Sequence, residues 1–261
     1  MIMTQVLKVN QTNVNGQSMM ASFCQSLSRS QSGMAYLAER NIPESLVEQG
    51  MLGYIPPYSN HWFPLLKGRL VTPICDAAGN IKALAGRQLP FARDSVVKAY
   101  REYNSSKQAQ ELIDKWDRAK WINEPYPKRK LLYNLHRAKE FARERGYINL
   151  VEGYLDAGVL SCKHMENTAA LCGISLTEHH AAIISRYCDT VVLLYDGDQA
   201  GVDAGTESRR VAEQYDLKCH AVLLPTGWDP DDFVVKKGGK NLRRAIEGMI
   251  ERNEYELEIK I

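Results

Sequence analysis

Apolar positions along the chain first repeat at helical spacing, then at strand spacing, and change rhythm near residue 146. From Gly33 onward Met34, Leu37 and Ala38 recur at three and four residues and predict a helix. Pro43 suits the first turn of a second short helix over 44–49, which Gly50 ends. Strand-like stretches at 69–74 and 81–85 flank Asp76-Ala-Ala-Gly-Asn80, a link of hairpin length carrying Gly and Asn. Residues 90–119 are densely charged and read as an inserted helix or a mobile loop. Residues 120–130, with Pro125 and Pro127, read as irregular. A helix is expected over 131–145, stopped by Gly146. The first thirty residues show no apolar stripe and read as a poorly ordered arm.

Beyond residue 146 strands and helices alternate. Strands are expected at 147–151, 168–172, 190–195 and 220–224. Helices are expected from Tyr154, over 178–187 behind the N-cap Thr177, and over 199–215. That alternation defines an α/β fold with a parallel sheet covered by helices. The expected division is a flexible arm at 1–32, a basic α+β subdomain at 33–145, an α/β sheet domain at 146–228 and a charged helical segment at 229–261. The last is too small to carry a core of its own.

Composition narrows the function classes. With 44% hydrophobic and 25% charged residues in 261, the chain has the make-up of a folded globular protein. Its longest apolar runs have strand length, well short of the roughly 20 residues of a membrane span. No secretory leader is recognisable in residues 1–30. The six cysteines form no Cys-x-x-Cys pair, which fits reduced thiols in a cytoplasm. Cys162, His164, Cys172 and His179 lack zinc-knuckle spacing, so no zinc is expected. The small net charge of +2 conceals an asymmetry. Residues 61–145 hold 18 Lys and Arg against 9 Asp and Glu, and the remainder holds 15 against 22. A basic half suits a polyphosphate or nucleic acid, although a solvated helical surface has the same composition.

Chemistry in an open α/β sheet gathers beyond the carboxyl ends of the strands. There this sequence places Glu152 after the first strand, Asp196 and Asp198 after the third, and Asp229 and Asp231 after the fourth. Asp156 lies one helical turn past Glu152 and can return to the same edge. Taken singly, each motif also reads as a turn or a helix cap. Together they form a cluster of hard oxygen donors, which selects Mg²⁺ or Mn²⁺ over zinc and needs a cation to offset its self-repulsion.

These motifs carry a family resemblance. Leu150-Val-Glu-Gly-Tyr-Leu-Asp156, Tyr195-Asp-Gly-Asp-Gln-Ala-Gly201 and Leu224-Pro-Thr-Gly-Trp-Asp-Pro-Asp231 resemble the three acidic motifs of the Toprim domain, in the wording of DnaG-type bacterial and phage primases. Upstream, Val71-Thr-Pro-Ile-Cys-Asp76 and Ala85-Gly-Arg-Gln-Leu89 are similar to the primase hairpin with its Gly-Arg pair. Lys120-Trp-Ile-Asn-Glu-Pro125 and Lys128-Arg-Lys-Leu-Leu-Tyr-Asn-Leu135 resemble two further primase segments. The match runs in family order from about Gly33 to Gly239, with looser spacing between Leu89 and Lys120. No Cys/His set precedes Gly33, and no helicase-interaction domain is recognisable. The expectation is therefore an RNA-polymerase core without those two modules.

The resemblance implies synthesis of RNA primers on single-stranded DNA from NTPs by two-metal nucleotidyl transfer. It implies Glu152, Asp196 and Asp198 as catalytic metal ligands, with Asp156, Asp229 and Asp231 completing or supporting the second ion. Gly153, Gly197 and Gly201 would allow close backbone approach. Arg69, Arg87, Lys120, Asn123, Lys128 and Lys130 are the candidates for binding nucleotide and template. Trp116, Trp121 and Tyr133 interleave with these cations as base-stacking residues do, but core packing is the expected use of at least two of them. A replicative helicase and a separate zinc-bearing template-recognition protein are candidate partners, within a bacterial or phage-infected cell. The alternatives are a Toprim-type nuclease and a non-catalytic nucleic-acid-binding accessory protein of replication.

Overall fold

The computed structural model describes residues 16–173, 175–195, 199–225 and 227–259. Two compact units emerge, and the chain passes between them more than once. The first holds the chain up to Ile74 and Asn80–Tyr126. The second holds Cys75–Gly79 and Pro127–Ile261. The division therefore falls near residue 127, earlier than the expected boundary at 146. The basic segment after Pro127 belongs with the α/β sheet, because the helix it leads into packs on that sheet.

The first unit is built on a four-stranded sheet in the order β1 (Gly53–Ile55), β2 (Arg69–Cys75), β3 (Ile81–Gln88), β4 (Trp121–Asn123). The β1–β2 and β3–β4 pairs are antiparallel. β2 and β3 are neighbours joined by the short link at 76–80, as the hairpin expectation requires. Residues 16–28 form a helix, α1, where a disordered arm was expected. Its Met20, Phe23 and Leu27 are buried at helical spacing, and the first two pack with Ile55, Leu66, Val71 and Leu84. The approach is close enough that a Cβ at Gly53 would lie 2.6 Å from the Phe23 Cβ. Helices α2 (Gln31–Glu39) and α3 (Ser45–Glu48) follow as expected. The charged stretch resolves into two helices, α4 (Arg93–Tyr103) and α5 (Ser106–Arg118), the second opened by a Ser105–Gln108 capping box.

In the second unit α6 (Leu135–Arg145) precedes β5 (Tyr147–Val151). The helix begins four residues later than the pattern suggests. Tyr133 exchanges backbone hydrogen bonds with Ala170, and Asn134 takes a positive φ of 65°, so helical geometry starts only at Leu135. Then come α7 (Tyr154–Ser161), β6 (Thr168–Ala170), α8 (Glu178–Ile184), β7 (Thr190–Tyr195), α9 (Gln199–Glu213) and β8 (Lys218–Leu223). The terminal segment does not stand apart. It folds as α10 (Pro230–Phe233), one π turn at Val234–Gly238, α11 (Gly239–Glu251) and β9 (Glu256–Glu258). β9 pairs in parallel with β8, so the tail extends the sheet. The strand order is β6-β5-β7-β8-β9, and all four pairings are parallel. Strands buried on both sides explain the apolar run of β7 and that of β5, which only the buried Asn149 interrupts. Among the described residues no helix is long and apolar enough to cross a membrane.

Candidate active site

Strand order locates the site in the second unit. Counted from β5, the order is 2-1-3-4-5, so the direction of winding reverses between β5 and β7, and ligands of such sheets bind at the carboxyl ends where it reverses. β5 ends at Val151, directly before Glu152. β7 ends at Tyr195, where the chain enters the link carrying Asp196 and Asp198. Asp196, Gly197 and Asp198 lie outside the described residues. Gly201 falls in the first turn of α9.

Glu152 is half-buried, and Gly153 is the N-cap of α7 with extended backbone. Asp156, also half-buried, sits in the first turn of that helix and folds its carboxylate back over Gly153. A Cβ at position 153 would collide with Asp156 Oδ2. The missing side chain at 153 is thus what lets the carboxylate return to the sheet edge. Asp229 stands at the N-cap position of α10, where its side chain makes no capping hydrogen bond, and is exposed. Asp231 lies in its first turn, where Oδ1 accepts a hydrogen bond from the Asp232 N–H at 2.7 Å. α10 packs against α7, so both helices bring carboxylates to one side of the sheet. Among the described residues no three acidic, His or Cys side chains form a closed ligand set.

The candidate cations divide between the units. Lys128 and Lys130 lie on a single 3₁₀ turn of the second unit, Lys128–Lys130. Lys128 Nζ reaches the loop after β6, where a Cβ on Gly173 would stand 3.9 Å from it. That loop continues the pairing of β6 with β5 through the Leu171 N–H, which donates to the Val151 carbonyl at 2.9 Å. The Lys128 ammonium and Glu152 therefore share one sheet edge. In the first unit Lys120 is exposed, and Asn123, half-buried on β4, has a buried Oδ1 that accepts no hydrogen bond. Arg87 is largely buried. Its Nε donates to the Tyr36 hydroxyl at 2.6 Å, and its guanidinium lies 5.8 Å from the centre of the Trp121 ring.

Arg69 departs from expectation. It is fully buried, and its guanidinium donates to the carbonyls of Leu65, Gly86, Trp116, Ala119 and Lys120 while lying 5.0 Å from the Trp116 ring centre. Burial lowers its pKa to about 10, which leaves it charged at neutral pH. Enclosed this way it cannot meet a phosphate, and its role is to tie β4 and the end of α5 to β2. Trp116 and Tyr133 are core residues, at 1% and 3% exposure, and Trp121 is half-buried. Two neighbours of the basic turn, Thr177 and His180, were not singled out as site residues. Thr177 was legible only as a helix cap.

Residues 149–234 match the Toprim-like family model, which agrees with the strand order and acidic edge just described. Over most of its length the chain is similar to bacterial DNA primases. It is 30% identical over 214 residues to the Aquifex aeolicus DNA primase, covering 80% of this chain and 38% of that one. It is 27% identical over 252 residues to the Halalkalibacterium halodurans DNA primase, covering 83% and 37%. The chain thus spans little more than a third of the length of these relatives. Among solved structures, the Aquifex aeolicus primase with its zinc-binding and RNA polymerase domains superposes with a TM-score of 0.69 at 26% identity, over 89% of this chain and 59% of that one. A DnaG primase catalytic domain bound to single-stranded DNA gives 0.69 at 22% identity, over 93% and 82%, a likeness of fold.

Proposed function

We propose that this chain is the RNA-polymerase core of a DnaG-type primase, joining NTPs into short RNA primers on a single-stranded DNA template. The observation that carries this reading is the Asp156 carboxylate folded back over Gly153, directly after Glu152 at the switch point, with Lys128 on the same edge. The donor set fits a hard divalent cation. Its oxygens come from carboxylates, and Gly153 leaves the space that a Cβ would fill. Glu152, Asp196 and Asp198 would hold catalytic Mg²⁺ or Mn²⁺, with Asp156, Asp229 and Asp231 completing or supporting a second ion. When bound, the ions supply Lewis-acid activation of the attacking 3′-hydroxyl and charge neutralisation on the leaving pyrophosphate.

The protein's own groups orient and bind. Lys128 and Lys130 offer point charges to phosphates in the second unit, and Arg87, Lys120 and Asn123 offer donors in the first. Arg69 acts from within, fixing the backbone that carries Lys120. A replicative helicase and a zinc-bearing protein that selects the template are the proposed partners, in the cytoplasm of a bacterial or phage-infected cell. The test is incubation with radiolabelled NTPs, single-stranded DNA and Mg²⁺ or Mn²⁺. Labelled short RNA is the expected product. Shortened DNA would instead identify a nuclease, and binding without either product would identify an accessory protein.

A further inference from the structure

The 3₁₀ turn Lys128–Lys130 has no buried residue of its own, and long cationic side chains on an unsupported turn would spread their charge over many positions. Helix α8 supplies the support. The Thr177 side chain accepts a hydrogen bond from the His180 N–H at 3.2 Å, capping α8. The same hydroxyl donates to the Arg129 carbonyl at 2.8 Å. One oxygen therefore closes the helix and holds the middle of the basic turn. His180, fully buried in the first turn of α8, sets its ring against the backbone of Lys128 and Leu131. The turn is gripped at its centre and backed from inside.

We propose that Thr177 is a positioning residue for phosphate binding, holding the Lys128–Lys130 turn in register and with it Lys128 at the sheet edge that carries Glu152. The inference rests on the functional reading above and adds a residue to it. An N-cap needs only an acceptor, a role that Asp or Asn would fill. The bond to Arg129 needs a donor as well, and capping alone does not account for it.

Two variants separate these roles without changing charge. T177S keeps both hydrogen bonds. T177G removes the hydroxyl but is tolerated at an N-cap, so α8 survives. Three quantities are measured in the full chain: primer-synthesis kinetics, affinity for a single-stranded oligonucleotide, and the rate of tryptic cleavage after Lys128, Arg129 and Lys130. T177S is expected to match the wild type. T177G is expected to raise the KM for NTP, or the Kd for the oligonucleotide, about tenfold with kcat within twofold, and to speed cleavage at the turn. T177G indistinguishable from wild type in KM, Kd and cleavage overturns the proposal, as does T177S impaired to the same degree as T177G. A parallel loss of kcat, affinity and melting temperature in T177G also overturns it, because that pattern marks a purely structural residue. A wild-type protein that makes no primers overturns the functional reading instead, and the cleavage rates then still decide whether Thr177 holds the turn.

Discussion

At the scale of single residues, side chains of the same charge serve opposite ends. Arg69 and Lys120 were equivalent candidates in the sequence, yet one is enclosed by five carbonyls and the other is exposed. Arg69→Ala removes this donor; the Trp116 and Lys120 carbonyls keep bonds from Gln88, but each carbonyl left as a buried orphan costs about 1–3 kcal/mol, and the packing of the side chain is lost as well. The urea midpoint should therefore drop by an amount equivalent to at least about 3 kcal/mol. Lys120→Ala should leave it unchanged while weakening oligonucleotide binding. On the acidic side, Glu152→Gln and Asp156→Asn should each cut primer synthesis by about 10² or more, the scale of losing one electrostatic catalytic element. Melting temperature should hold, because a charge is removed from a self-repelling group. Full activity in Glu152→Gln would remove that residue from the site. Gly153→Ala is a finer probe. Its backbone φ of −106° suits alanine, so the effect comes only from pushing the Asp156 carboxylate aside, and misplacement of about 1 Å can cost 10²-fold.

At the scale of elements, the parallel sheet was legible and the first helix was not. β5 and β7 announce themselves as short apolar runs, because both faces of the strand are covered. In α1 Met20, Phe23 and Leu27 are buried and Met19 and Cys24 pack beside them, among Ser, Gln and Asn that resemble a tail by composition. The spacing was there, but Met and Cys are weak apolar signals against that polar background until Ile55, Val71 and Leu84 provide a surface for them. Leu27→Ala should therefore cost roughly 2–5 kcal/mol by denaturant unfolding, as expected of a buried leucine rather than a disordered arm. The inserted helices α4 and α5 carry nearly balanced charge over 90–119, with six Lys and Arg against five Asp and Glu. The basic surplus lies on either side of them.

At the scale of the molecule, pH and salt probe the assembled units. His136 and His180, both in the second unit, are held neutral with pKa values pushed down to about 4. Burial is the main cause, with neighbouring Arg and Lys charges adding to it. The unfolded chain takes up those protons near pH 6.5 while the fold resists, so stability is full above that pH. It falls as pH drops from about 6.5 to 4 and levels off below, by on the order of 2–3 kcal/mol for each ring. Thermal melting between pH 7.5 and 4 should show this fall, and a combined His136→Gln, His180→Gln variant should show less of it than the wild type. Oligonucleotide affinity should decline steeply with salt as phosphate contacts release counterions, and Lys128→Ala should flatten the slope by about one. An unchanged slope would remove Lys128 from the phosphate contacts.

Local order in the chain determined the strands, the helices between them and the placement of each acidic motif at a strand end, because these depend on spacing within a dozen residues. Only tertiary structure decided which strand ends become neighbours. The reversal between β5 and β7 comes from strand order, and β9 joins the sheet through a crossover of about thirty residues. The burial of Arg69 needed Trp116 and Lys120, roughly fifty positions away. The grip on the basic turn needed Thr177, at a similar separation. Such contacts carry no periodic signature, since each is a single hydrogen bond that exists only after separate elements have packed together.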